Sequence, residues 1–475
     1  MRSFLQQTEK RKSYMSQDTI VAAASAMSNA GIGIIRISGE DAFTIMDRIF
    51  RSKNRNKRML EQPSYTIHYG HIYDERGELL DEVIILLMKG PHSYTAEDTV
   101  EVDCHGGVLV MRRILELIIR QGARPAEPGE FTKRAFLNGR LDLSQAEAVM
   151  DVIQAGNQLA LESSLHQLKG SVSSRIRSFR EQILYESAFL ESALDDPEHI
   201  SLDGYGDKLF GVLKDLIMQM DAMIDTFENG KIIKEGIKTV ILGKPNAGKS
   251  SLLNALLREE RAIVTEIAGT TRDVLEEQLC LNGFSLKLLD TAGIRTTEDV
   301  VEKIGVDRAK EQARDADLIL YVVDSSCMLD QNDEEILKLL QHKKVIIVLN
   351  KSDLPSAVSR EILEERIGVE YDVVTLSAEK REGIDLLEES IRDLFYKGSI
   401  SFNDEFMLTN IRHKNALTEA KSALLRVQDS INAGMPEDFY TIDLMDSYTL
   451  LGYILGEEMS EDLIQEIFSK FCTGK

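Results

Sequence analysis

The sequence predicts a multidomain α/β chain. It has an N-terminal α+β domain, an α-helical domain discontinuous in sequence, and a Ras-like α/β domain of the phosphate-loop type inserted into it. Three observations predict this arrangement. Residues 243–250 read GKPNAGKS between a short apolar run and a segment with helical spacing. Residues 144–229, and again those from 417 onward, repeat apolar positions every three to four residues. The N-terminal part instead mixes strand-like and helix-like stretches.

Taken in order, residues 1–14 are polar and mildly basic, which excludes a secretory signal. They are either a disordered extension or lie upstream of a start at Met15, so 1–17 is set apart. Within 18–138, strands are expected at 19–22, 33–37, 65–72, 83–88 and 100–104. Helices are expected at 42–50 and 108–120, the second ended by Gly122. Residues 139–233 form the first part of the helical domain, pausing only at Asp195-Asp196-Pro197 and near 204–206. The nucleotide-binding domain runs over 234–397. Helices resume over 398–475: Leu417, Ala420, Leu424, Val427 and Ile431 mark one face, Pro436 breaks that helix, and two more follow at 442–455 and 461–471. Neither flanking set completes a bundle, so one helical domain with an insertion is the economical reading. Two independent bundles are the alternative.

Composition bounds the chemistry. The 475 residues suffice for two to four domains, and 43% hydrophobic with 28% charged is ordinary globular usage. No apolar run is long enough for a membrane span. Cys104, Cys280, Cys327 and Cys472 follow no metal or disulfide spacing, which fits a reducing cytoplasm. A net charge of −23 argues against non-specific nucleic-acid binding, because phosphate contacts dominate that affinity. Any RNA contact must come from a local basic patch or from a partner.

The motifs carry more. Gly243 and Gly248 let the backbone wrap phosphate oxygens, while loop amides and a helix N-terminus supply positive potential. Lys249 would reach the β- and γ-phosphates and Ser250 would ligate Mg²⁺. Thr271, within Gly269-Thr270-Thr271-Arg272-Asp273, can add a hydroxyl to Mg²⁺ only beside a γ-phosphate. Asp290, in Asp290-Thr291-Ala292-Gly293, would bind Mg²⁺ through water. Asp353, in Asn350-Lys351-Ser352-Asp353, offers two oxygens to the two N–H donors on one edge of guanine, a pair adenine lacks. Ser377-Ala378 completes the series. Five motifs in this order point to GTP rather than ATP. Ile294 stands where Ras-like proteins place a water-orienting glutamine. Asn246 could offer a neutral oxygen to a monovalent cation such as K⁺, doing the work of an arginine finger. It could equally be a turn residue tolerating strained dihedrals.

Three stretches give the chain a family resemblance: GIGIIRISG at 31–39, PGEFTKRAFLNGRLDL at 128–143 and the terminal FCTGK. With the GTPase set, the chain resembles the MnmE/TrmE family of tRNA-modification GTPases over residues 18–475. The resemblance implies a homodimer working with an FAD-dependent MnmG-like partner, two copies of each. Together they would add an aminomethyl-type group to C5 of the wobble uridine of certain tRNAs, from a tetrahydrofolate one-carbon donor. It implies a folate-binding-like N-terminal domain that also carries the dimer contact, with Arg36, Glu101, Arg140 and Lys475 at folate. Cations suit the folate glutamate tail and a carboxylate suits the pterin N–H edge; Arg140 replaces the family's usual lysine, keeping charge and adding a donor. It implies that Asn246, Thr265, Ile267 and Thr270 hold K⁺, and that Glu302 orients the attacking water. Without the family, Glu302 reads as a solvated helix residue.

The resemblance also fills in the nucleotide site. Asn246, Ala247, Gly248, Lys249, Ser250 and Ser251 form its phosphate loop. Thr265, Glu266, Ile267, Ala268, Gly269, Thr270 and Thr271 form the first switch, with Asp290 to Gly293 in the second. Asn350, Lys351, Asp353, Ser377 and Ala378 take the base. Mg²⁺ would be held by Ser250, Thr271 and Asp290. Asn246, Lys249, Glu302 and Cys472 would serve catalysis. Two departures are visible: Thr473 stands where the family ending has isoleucine, and Asp195-Asp196-Pro197-Glu198 lacks the aromatic residue found there. A ribosome-assembly or RNA-binding GTPase without modification chemistry is the competing expectation. No basic RNA-binding module stands out to favour it.

Overall fold

The computed structural model describes residues 18–53, 57–257, 277–281, 284–289, 313–331, 333–334, 336, 342–367, 371–396, 407–457, 459–471 and 474. By internal contacts the chain forms two compact units, Met1–Met150 with Leu451–Lys475, and Asp151–Leu450.

The first unit is built on a seven-stranded sheet in the order β3-β4-β5-β6-β2-β1-β7. Its strands are β1 (Ile20–Ala23), β2 (Ile32–Ser38), β3 (Phe50–Ser52), β4 (Thr66–Tyr73), β5 (Leu79–Met88), β6 (Thr99–His105) and β7 (Arg124–Pro125). All pairings are antiparallel except β1 with β7. One face alternates into a buried layer of Ile35, Ile37, Ile85, Leu87, Val100 and Val102. Helices α1 (Ala42–Ile49) and α2 (Val108–Arg120) cover it with Met46, Ile114 and Ile118. Gly33 leaves room for the Met111 side chain, whose Sδ would lie 2.5 Å from a Cβ placed there. The expected strands and helices appear within a few residues of their predicted bounds. The short β3, β7 and α3 (Glu130–Leu137) were not expected. The helix α14 (Glu461–Ser469) packs onto this same unit, its Phe468 joining Phe136, Met150 and Phe471 in a separate apolar cluster.

The second unit combines helices with a six-stranded sheet ordered β13-β12-β11-β8-β10-β9. These strands are β8 (Ile237–Gly243), β9 (Glu277–Leu281), β10 (Phe284–Leu288), β11 (Leu318–Asp324), β12 (Val345–Asn350) and β13 (Asp372–Thr375). Every pairing is parallel except β9 with β10. Strands β8, β11 and β12 are buried on both faces, which is why they read as unbroken apolar runs.

Helices α4 (Leu143–Gln154), α5 (Gln158–Leu168), α6 (Ser171–Asp195), α7 (Tyr205–Asp225) and α8 (Phe227–Glu235) precede the sheet. The helical run therefore breaks at three further places that the periodicity does not reveal: before α5, before α6, and at Thr226 between α7 and α8. Asn157 caps α5, its side chain accepting from Ala160 N at 2.8 Å. Gly170 takes φ of +95°, a left-handed turn before α6 that a Cβ disfavours. Within the sheet domain, α9 (Lys249–Leu257) follows β8, and α10 (Arg360–Ile367) and α11 (Ile384–Tyr396) flank β13. After it come α12 (Ile411–Asn432) and α13 (Asp438–Leu455), with Leu417, Ala420, Leu424 and Val427 fully buried as the stripe predicts. No described helix is long and apolar enough to cross a membrane.

Candidate functional site

The phosphate loop grows directly out of the central strand. β8 ends at Gly243, where φ is +144° and a Cβ would lie 2.2 Å from the Val322 carbonyl of β11. Gly248 takes φ of +94°, and a Cβ there would fall 2.1 Å from Asn350 Nδ2. Both glycines are therefore fixed by close approach as well as by backbone conformation. Asn246 is exposed at φ +60°, so it does occupy the strained turn position that one reading gave it. The loop passes into α9, which presents its N-terminal amides together with Lys249, Ser250 and the exposed Ser251.

Lys249 Nζ donates to the Gly243 carbonyl at 2.9 Å and the Lys244 carbonyl at 2.7 Å. Burial holds its ammonium below the usual lysine range. A polyphosphate at the loop would supply the counter-charge that these carbonyls only partly replace. Lys244 itself pairs with Asp330 Oδ2 at 2.7 Å and Asp333 Oδ2 at 2.5 Å. Burial alone would lower Lys244, yet those two carboxylates raise it above the ordinary value. Tyr321 of β11 donates to the other Asp333 oxygen at 2.7 Å. Lys244, Asn246, Asp324, Cys327 and Asp333 line a pocket of about 180 Å³ beside the loop.

The end expected to take the base is joined to the phosphate end by one buried amide. Asn350 Nδ2 donates to the Ala247 carbonyl at 2.9 Å, and its Oδ1 accepts from Ala378 N at 3.0 Å. Lys351, at φ +64°, holds Asp324 at 2.5 Å. Asp353 Oδ1 accepts from Ser377 Oγ at 2.7 Å, which keeps its carboxylate below the usual range. Ser377 is in turn fixed by a bridge to Glu382. The structure thus brings Asn246, Ala247, Gly248, Lys249, Ser250 and Ser251 to one end of the sheet with Asn350, Lys351, Asp353, Ser377 and Ala378. The predicted Thr265, Glu266, Ile267, Ala268, Gly269, Thr270 and Thr271 lie outside the described residues, as do Asp290, Thr291, Ala292, Gly293 and Glu302. Among the described residues no group of three or more His, Cys, Asp or Glu could hold a metal ion. Ser250, at the start of α9, is the described Mg²⁺ candidate.

A second cluster lies in the first unit. Arg36 on β2 and Glu101 on β6 are cross-strand partners, bonded at 2.7 Å. The Arg36 guanidinium also lies 5.1 Å from the Tyr94 ring centre and 5.7 Å from that of Phe131, while Arg140 lies 4.7 Å over the same Tyr94. Arg36 Nη1 donates to the carbonyl of Gly474 at 3.3 Å. That glycine, at φ +97°, is buried so closely that a Cβ would lie 2.2 Å from the Ala23 carbonyl. Arg36, Glu101 and Arg140 are brought together; Cys472 and Lys475 lie outside the described residues. Tyr94 and Phe131 are the members that sequence reasoning missed. Phe131 stands inside the quoted 128–143 stretch, but no motif marks Tyr94.

Family profiles agree with this layout. The profile of the GTP-binding protein TrmE N-terminus matches residues 19–140, and that of the MnmE helical domain matches residues 143–472. The chain belongs to the MnmE/TrmE family of tRNA-modification GTPases. It is 54% identical over 463 residues to the tRNA modification GTPase MnmE of Lachnoclostridium phytofermentans, covering 97% of this chain and 100% of that one. Identity to the MnmE of Alkaliphilus metalliredigens is 46%, over 96% and 99% of the two chains. Among solved structures, the G domain of the T. maritima FeoB iron transporter aligns with 33% of this chain and 98% of its own, at 27% identity and a TM-score of 0.25.

Proposed function

We propose that this chain is a K⁺-activated, dimerisation-dependent GTPase of tRNA wobble-uridine modification. With an FAD-dependent MnmG-like partner it adds an aminomethyl or carboxymethylaminomethyl group to C5, using a tetrahydrofolate one-carbon donor. The observation that carries this reading is the pairing of two sites in one chain. One is the phosphate and base loops tied by Asn350; the other is the Arg36–Glu101–Arg140 cluster around Tyr94. Two guanidinium groups on one ring, beside a carboxylate, suit a ligand with an anionic tail and a flat ring bearing N–H donors.

In this reading Ser250, Thr271 and Asp290 hold Mg²⁺, and Asn246, Thr265, Ile267 and Thr270 hold K⁺. Glu302 orients the attacking water, and Lys475 joins the folate site. The exposed Asn246 leaves its side-chain oxygen free to face a second nucleotide domain. The domain division follows as 18–138 for folate and self-association, 139–233 with 398–475 as the helical domain, and 234–397 for GTP. Self-association is supported by an exposed apolar row on the outer sheet face, where Tyr69 sits opposite Ile84 beside Ile67. The work would take place in the cytoplasm.

Two measurements test the reading. GTP hydrolysis is compared in K⁺ and Na⁺, with Asn246→Ala beside the wild type; equal rates in both salts would remove the cation claim. Nucleoside mass spectrometry of tRNA from a deletion strain is expected to show an unmodified wobble uridine. An unchanged one would favour ribosome assembly instead.

A further inference from the structure

Asn157 makes more contacts than a helix cap needs. Its Oδ1 accepts from Ala160 N at 2.8 Å, which alone caps α5. Its Nδ2 donates to two other elements: the Ile233 carbonyl in the last turn of α8 at 3.0 Å, and Ser285 Oγ in β10 at 3.2 Å. Around it, the Cys280 thiol of β9 donates to the carbonyl of Gly156. Lys234 of α8 pairs with the buried Asp151 at 2.8 Å. At the α8–β8 junction, Gly236 takes φ of +82°, and a Cβ there would lie 2.9 Å from Ser285 Oγ.

The β9–β10 hairpin is placed to make this corner matter. β9 begins six residues after Thr271, and β10 ends two residues before Asp290. The hairpin therefore lies, in sequence, between two expected Mg²⁺ ligands, of which Thr271 is the one expected to answer to the γ-phosphate. β10 also pairs in parallel with β8, the strand that ends in the phosphate loop. A shift of β10 against β8 must either break the Asn157–Ser285 bond or carry the start of α5 with it.

We infer that Asn157 is a positioning residue through which the nucleotide state of the inserted domain reaches the helices at 151–168. The inference rests on the GTPase reading above and adds the joint through which that GTPase moves its neighbours. The chemistry of the side chain makes the idea separable from capping. Serine is an N-cap as good as asparagine, but it is shorter and has no amide donors.

The test is hydrogen exchange on the full chain, with GDP against a non-hydrolysable GTP analogue, for wild type, Asn157→Ser and Ser285→Ala. In the wild type, amides of 151–168 are expected to change exchange between the two nucleotides. In Asn157→Ser, at unchanged melting temperature and GTP turnover, that difference is expected to shrink at least about five-fold. Ser285→Ala keeps the cap and the Ile233 bond and is expected to shrink it less. Two results overturn the inference: a wild type whose 151–168 amides ignore the nucleotide, or an Asn157→Ser protein that responds like the wild type. A parallel loss of GTP turnover also overturns it, because Asn157 would then serve hydrolysis itself. The K⁺ and Na⁺ hydrolysis assay judges the GTPase reading separately.

Discussion

Asp353 is held by Ser377 with its carboxylate below the ordinary range, so one of its oxygens is fixed and it stays charged across neutral pH. In the proposed reading that charge selects guanine, because a carboxylate can accept from two N–H donors at once. Asp353→Asn turns one acceptor into a donor and faces it to the guanine donors. Loss of a charged hydrogen bond costs about 1.5–3 kcal/mol, so GTP affinity should fall roughly 10- to 100-fold. Xanthosine triphosphate, which carries a carbonyl where guanine has its amino group, should gain in the same titration. An unchanged GTP affinity would mean that the base is read elsewhere. These residues were legible in the sequence because their chemistry is local: each motif is one loop after one strand. Tyr94 was not legible, since its environment arises only when Arg36 from β2 and Arg140 from beyond α3 converge on one ring.

The elements divide along the same line. Strand β8 was readable as the apolar run before the phosphate loop, and α12 as a stripe, because burial follows periodicity. The break before α6 was not, because one left-handed glycine in a Leu- and Ser-rich run leaves no periodic trace. The buried stripe supports a magnitude. Leu424 is fully buried in α12, which packs along α7, and truncation to alanine is expected to cost about 2–5 kcal/mol. Urea unfolding would show it as a lowered midpoint with unchanged slope.

Helix α3 carries a pH prediction. Burial would raise Glu130, but hydrogen bonds from Arg124 and the Glu127 amide, with the charge of Arg134, hold it below its usual value. A carboxylate depressed in the folded state gives stability that is present above the unfolded glutamate value. That stability is lost as pH falls through the lower folded value. The wild type should therefore lose stability on acidification below the usual glutamate range. Glu130→Gln should start less stable at neutral pH and lose less on acidification. Parallel pH curves for the two proteins would mean that Glu130 is not a source of the acid sensitivity.

At the scale of the whole molecule, the charge of −23 must be reconciled with a tRNA substrate. Binding RNA through phosphates requires unpaired cations, since each contact gains by releasing counter-ions. Many of the cations described on the helical segments are already committed: Lys421 to Asp221, Lys414 to Glu228, and Arg426 to both Asp443 and Asp446. The long-range field of so acidic a chain also repels a polyanion and slows its approach. Grip on the RNA is therefore expected to come chiefly from the proposed FAD-dependent partner. The chain alone should bind tRNA weakly, and the plot of log affinity against log salt should be shallow. Adding the partner should raise the affinity and steepen that slope in proportion to the phosphates its cations neutralise. Fluorescence titration of labelled tRNA over a salt series measures both quantities. A steep slope for the chain alone would locate a phosphate-binding patch on its own surface and overturn this division of labour.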